Sequence, residues 1–107
     1  MEIFELLDKI KERPSLYLSG DSINHLKAFL DGYYFCKRSF ELSNSLQDQN
    51  WFMFQQWIEE RYSINTSQSW AQIILFFSND EYEALKNFFE LLEEFMSNQP
   101  HIGIARR

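Results

Sequence analysis

A chain of 107 residues with a formal charge of −6 and a pI near 4.8 has the length of one domain. Its acidity speaks against nucleic acid as a partner, since such binders gain affinity by neutralising phosphates with Lys and Arg. Aromatic residues make up 18% of the chain, ring area enough to stabilise a small core without disulfide, metal or cofactor.

The single cysteine, Cys36, excludes an intramolecular disulfide and fits a reducing compartment. The longest apolar run, Ile73-Ile74-Leu75-Phe76-Phe77, falls far short of the roughly 20 residues that span a bilayer. The N-terminus lacks the basic region and apolar stretch of a signal peptide. A cytoplasmic protein with no membrane partner is expected.

With three Gly and two Pro, the composition favours long helices and short connections. Residues 2–12 predict the first helix, with Ile3, Leu6, Leu7 and Ile10 at helical spacing and Phe4 widening the stripe. Pro14 ends it, because the residue before proline is pushed out of the helical region. Gly20 and Asp21 then form a turn, and Asp21 or Ser22 caps the next helix.

That second helix is expected over about 22–43, with Leu26, Phe29, Leu30, Tyr33, Cys36 and Phe40 facing inward. Gly32, inside it, costs about 1 kcal/mol relative to Ala, which is consistent with close packing of a neighbouring helix. Ser43-Asn44-Ser45 breaks the chain. A third helix over 47–62 carries Trp51, Phe54, Trp57, Ile58 and Tyr62 inward, with Phe52 and Met53 broadening the apolar arc. Asn65-Thr66-Ser67 is a loop.

Residues 70–77 fit a helix through Trp70, Ile73, Ile74 and Phe77, although the same run suits a buried strand. Helix is preferred because no second strand exists for it to pair with. The last helix has a capping-box pattern, Ser78-Asn79-Asp80-Glu81, with Phe77 and Tyr82 placed as a hydrophobic staple. Leu85, Phe88, Phe89, Leu92 and Phe95 supply its apolar face. The expected architecture is all-α: a compact bundle of about five helices over 1–98, followed by a flexible tail at 99–107.

Catalytic chemistry finds little support. Cys36 falls on an apolar stripe, the usual place of an inert buried thiol. His25 and His101 have no local partner for general-base work. Two isolated His and one Cys do not make a metal-ligand pattern, and no Gly-rich phosphate loop is present. No enzyme activity and no cofactor are expected.

Negative charge gathers late in the chain. Over Ser78–Asn98 six acidic residues oppose Lys86 alone, a local net charge of −5. Glu83, Glu90 and Glu94 recur on one helical face, opposite the apolar stripe. Asp48, Glu59 and Glu60 extend that surface if the third and fifth helices pack side by side. A solvated surface is one reading, and a docking surface for a basic protein is the other.

Arg13-Pro14-Ser15-Leu16-Tyr17-Leu18 resembles the Arg-Pro-x-Met-Tyr-Ile-Gly loop of gyrase B-type ATPases, with Ser19 before Gly20 here. The rest of that ATPase site is missing: no Asp-x-Gly-x-Gly and no Gly-rich lid, so an ATPase is rejected. A longer series spans residues 2–96: Arg13-Pro14-x-x-Tyr17-Leu18, then Leu26 through Phe29, Gly32-Tyr33, Phe54-x-x-Trp57-x-x-x-Arg61-Tyr62, Ser69-Trp70, Ile73-Ile74 and an acidic last helix. This order resembles small bacterial immunity proteins of contact-dependent growth inhibition and related polymorphic toxin systems.

The resemblance implies a protein that neutralises one cognate toxin domain, often a nuclease and itself basic, by covering its active site with an acidic surface. Glu59, Glu60, Glu83, Glu90 and Glu94 are the expected partner-binding residues, while Arg13 and Tyr17 anchor the loop. Trp51, Trp57 and Trp70 belong to the core. The alternative is a small structural or regulatory subunit that homodimerises through exposed aromatics on the third helix.

Overall fold

The computed structural model describes residues 1–98, and the expected tail at 99–107 lies outside them. The described residues are all-α and form seven helical segments: α1 (Ile3–Glu12), α2 (Pro14–Tyr17), α3 (Ile23–Ser39), α4 (Leu46–Phe52), α5 (Phe54–Arg61), α6 (Trp70–Phe76) and α7 (Glu81–Ser97). Five expected helices become seven for two reasons. Pro14 not only stops α1; its fixed φ suits the first position of a new turn, and α2 forms there. The helix expected over 47–62 breaks at Met53, whose N–H bonds to the Asn50 carbonyl three residues back. Trp51 and Phe54 still face inward across the break, while Phe52 and Met53 face solvent.

The core follows from the apolar stripes. α1 buries Ile3, Phe4, Leu6, Leu7 and Ile10, and α7 buries Leu85, Phe88, Phe89, Leu92 and Phe95. Trp70–Phe76 is helical, with Phe77 as its C-cap, and α6 inserts Trp70, Ile73 and Ile74. At the centre lies an aromatic cluster. Phe54, fully buried, stacks on Trp51 at 5.1 Å and meets Trp70, Phe88 and Phe95 edge-on at 5.3–5.7 Å. Edge-to-face rings set the positive rim of one against the negative face of another, a gain beyond area burial. All three tryptophans join this cluster, Trp57 from its half-buried edge.

Several local expectations are corrected. The inward stripe of α3 is Ile23, Leu26, Leu30 and Tyr34, rotated from the one the sequence suggested. Phe29 and Tyr33 are half-buried, whereas Cys36 and Phe40 are exposed. Ser78 does not cap α7; its hydroxyl donates to the Ile74 carbonyl. Asp80 caps instead, accepting from the Tyr82 and Glu83 amides, and Glu83 reaches back to the Asn79 amide at 2.7 Å. A carboxylate two residues closer to the helix out-competes the serine hydroxyl for its orphan amides. The staple is absent too: Phe77 stacks on Tyr62 at 4.5 Å, and Tyr82 is 61% exposed.

Helices α3 and α5 end alike. Leu42 N–H bonds to the Lys37 carbonyl and Glu41 N–H to the Arg38 carbonyl; Ile64 and Ser63 do the same to Glu59 and Glu60. Both are Schellman endings, and the residue taking the left-handed conformation is not glycine: Glu41 at φ 55 and Ser63 at φ 53.

Candidate functional site

Asp48 gathers hydrogen bonds from α3 and from the turn before α4. It is fully buried, although the sequence placed it with the acidic surface. Tyr34 donates its hydroxyl to Oδ1 at 2.7 Å, Lys37 donates Nζ to Oδ2 at 2.5 Å, and the Ser45 amide donates to Oδ2 at 3.0 Å. Ser45 Oγ accepts from the Asp48 amide, so the two close a true capping box on α4. Burial pushes the Asp48 carboxyl up, but the bonds from Lys37, Ser45 and Tyr34 outweigh it and hold it below the ordinary carboxylate value. The bond to Asp48 raises Lys37, and burial, then Asp48, push the Tyr34 hydroxyl well up. Asp48 therefore ties α4 to α3 and has no oxygen to offer a partner. The Ser-x-x-Asp spacing at 45–48 was a signal in the sequence that this acid bonds back to its own helix start, while its burial comes from Tyr34 and Lys37 on α3.

The acidic surface is elsewhere. Helical periodicity sets Glu83, Glu90 and Glu94 within about 40° of arc on α7. Glu83 is engaged at the start of the helix by the Asn79 amide and side chain. Glu94 forms an exposed ion pair with Arg61 at 2.8 Å. Glu90 has no hydrogen bond or ion pair among the described residues, and it borders grooves on both sides. One, about 540 Å³, runs between α7 and the end of α1, with Leu85 and Phe89 in its floor and Lys11, Pro14, Tyr82 and Glu93 around it. The other, about 200 Å³, lies among Arg61, Tyr62, Asn87 and Glu94.

The third expected helix does reach the fifth. Arg61 meets Glu94, and Trp57 packs its ring on Phe95 at 5.6 Å. Glu60, exposed, accepts from Gln56 on α5. Glu59 accepts from Gln55 Nε2, which also donates to the Gln68 carbonyl, so it belongs to the connection between α5 and α6. Of the five expected glutamates, three line up on α7, with Glu60 on the adjoining α5 and Glu59 turned toward a loop. Sequence reasoning missed the groove, because Pro14 and Lys11 reach Leu85 and Phe89 only through packing.

Other candidates gather no chemistry. His25 is exposed and shares a 2.6 Å hydrogen bond between Nδ1 and Ser22 Oγ, the residue that caps α3. Its ring lies against Gly20, where a Cβ would come within 3.0 Å of it. Cys36 lies eleven residues further along α3, roughly 16 Å away along the axis, too far to act with His25. Tyr17 packs half-buried against the core, and Arg13 is exposed, with no side-chain hydrogen bond among the described residues. Among the described residues no three His, Cys, Asp or Glu side chains gather as a metal site requires. No described helix is long and apolar enough to cross a membrane.

No protein-family model matches this chain, and neither a curated protein nor a solved structure matches it.

Proposed function

We propose that this protein is an immunity-type inhibitor that binds a basic toxin domain, with a nuclease as one candidate class, and covers its active site. The observation that carries the reading is the α7 ridge. Glu90 is unpaired among the described residues and stands beside a groove with an apolar floor and the exposed ring of Tyr82 at its edge. An aromatic anchor beside the unpaired Glu90 carboxylate is suited to a partner presenting Lys or Arg next to an apolar residue. The acids speed encounter and choose the partner, and the groove supplies contact area. Glu83, Glu94, Glu60 and Glu59 extend the negative field around it. Such a protein occludes and carries no catalytic residue of its own. Its place of action is the cytoplasm of the toxin-producing cell.

The test is coexpression with the protein encoded immediately upstream, followed by calorimetry on the purified pair. Protection from toxicity and a Kd that weakens at least tenfold in Glu90→Lys and Tyr82→Ala are expected. An upstream protein that is harmless, or equally toxic in the presence of this chain, overturns the reading.

A further inference from the structure

The solvent side of α3 lacks the charges such a face ordinarily carries. Lys27, Asp31 and Arg38 share one edge of the helix, and Lys37 turns to Asp48. Between these edges runs an uncharged arc. Ala28, Gly32, Phe35, Cys36, Ser39 and Phe40 are all exposed there, Phe35 at 62% and Phe40 at 75%. Phe29, Tyr33 and Leu42 flank a groove of about 370 Å³ over the same surface, and Lys37, its ammonium held by Asp48, adds to its lining. At its middle is Gly32. Among the described residues nothing lies within 4 Å of a Cβ built at that position. Gly32 leaves room for close packing of a neighbouring helix, and the described residues place none there.

We propose that this face pairs with the same face of a second copy of the chain, α3 against α3, antiparallel about a two-fold axis. Two features on the face select this occupant. The first is self-complementarity. Phe29, Tyr33, Cys36 and Phe40 are spaced four, three and four residues apart, and that order is unchanged on reversal. An antiparallel partner centred between Tyr33 and Cys36 sets Phe29 opposite Phe40 and Gly32 opposite Lys37 of the second copy, so Phe40 of each copy lies within one helical turn of the open space above Gly32 of the other. An isologous interface has this property by definition. The second is charge. A chain at −6 repels its own copy over most of its surface, and this arc is a place where two copies meet without opposing carboxylates.

A single helix face is smaller than the roughly 800 Å² per partner of stable complexes, so the dimer is weak and reversible. It lies apart from the α7 ridge and does not depend on the toxin reading.

The experiment is light scattering on the full chain from about 5 to 500 µM, the range in which so small an interface associates, combined with thermal melts. Wild-type mass is expected to rise from monomer toward dimer across that range. Gly32→Leu fills open space in the monomer, so it melts at or above the wild-type temperature yet stays monomeric. Phe40→Ser also stays monomeric. A short bis-maleimide joins Cys36 to Cys36 in the wild type at high concentration and not in Gly32→Leu. A wild type that is monomeric throughout overturns the proposal, as does a dimer that survives both substitutions. So does a Gly32→Leu variant that melts well below wild type, because a segment of the same chain would then cover the face.

Discussion

Asp48 and Glu90 are both carboxylates on helices of one small domain, and they serve opposite ends. Asp48 is sealed from water and takes hydrogen bonds from Tyr34, Lys37 and the Ser45 amide, whereas Glu90 stands in solvent beside two grooves. The first charge is costly to bury and stabilises only because its donors replace water in full. The second costs nothing to solvate and contributes to the field outside the protein. Acidity in this chain is thus divided between holding α4 on α3 and shaping the approach of a partner.

The sharpest way to break this contrast is Asp48→Ala. It strands the Lys37 ammonium and the Tyr34 hydroxyl, and a loss of about 3 kcal/mol is expected from urea denaturation. Next comes pH. The Asp48 carboxyl sits below its unfolded value, so its contribution is present above about pH 4 and disappears as pH falls through the depressed folded value. Lys37 and Tyr34 sit above theirs, so their contribution is present below about pH 10 and is lost as pH rises further. Stability followed against pH should be flat between these limits, and Asp48→Asn should flatten the acid limb.

A smaller effect belongs to Ser45→Ala, which removes the side-chain half of the α4 capping box: about 1 kcal/mol in the same assay. Least of all is Glu90→Lys, expected to change stability by under about 0.5 kcal/mol while abolishing steering of a basic partner. A large stability loss from Glu90→Lys would mean that the two carboxylates are not so different after all.

Much of the fold was legible because its stripes are strongly periodic. α1 and α7 bury the residues their spacing announces, and α6 is the helix preferred for a run, Ile73-Ile74-Leu75-Phe76-Phe77, that also suits a buried strand. Local competitions were less legible. Asp80 and Ser78 both have the chemistry of a cap, and the chain uses Asp80. Glu41 and Ser63 adopt a left-handed conformation that glycine usually signals, so neither helix end was announced by its residue type. The candidate surface was half legible. Glu83, Glu90 and Glu94 share a face by helical arithmetic alone, yet that arithmetic is blind to Arg61 across from Glu94 and to Pro14 across from Phe89.

The sequence by itself determined the helical class, the aromatic core and the acidic balance, because these depend on residue type and on spacing within one turn or two. Tertiary structure alone decided which side of α3 is buried, which acid turns inward and which stays out, and that Pro14 lines a groove with Leu85 and Phe89 of α7. Those outcomes depend on contacts between residues far apart in the chain, whose positions are set only once all the helices compete for the same core.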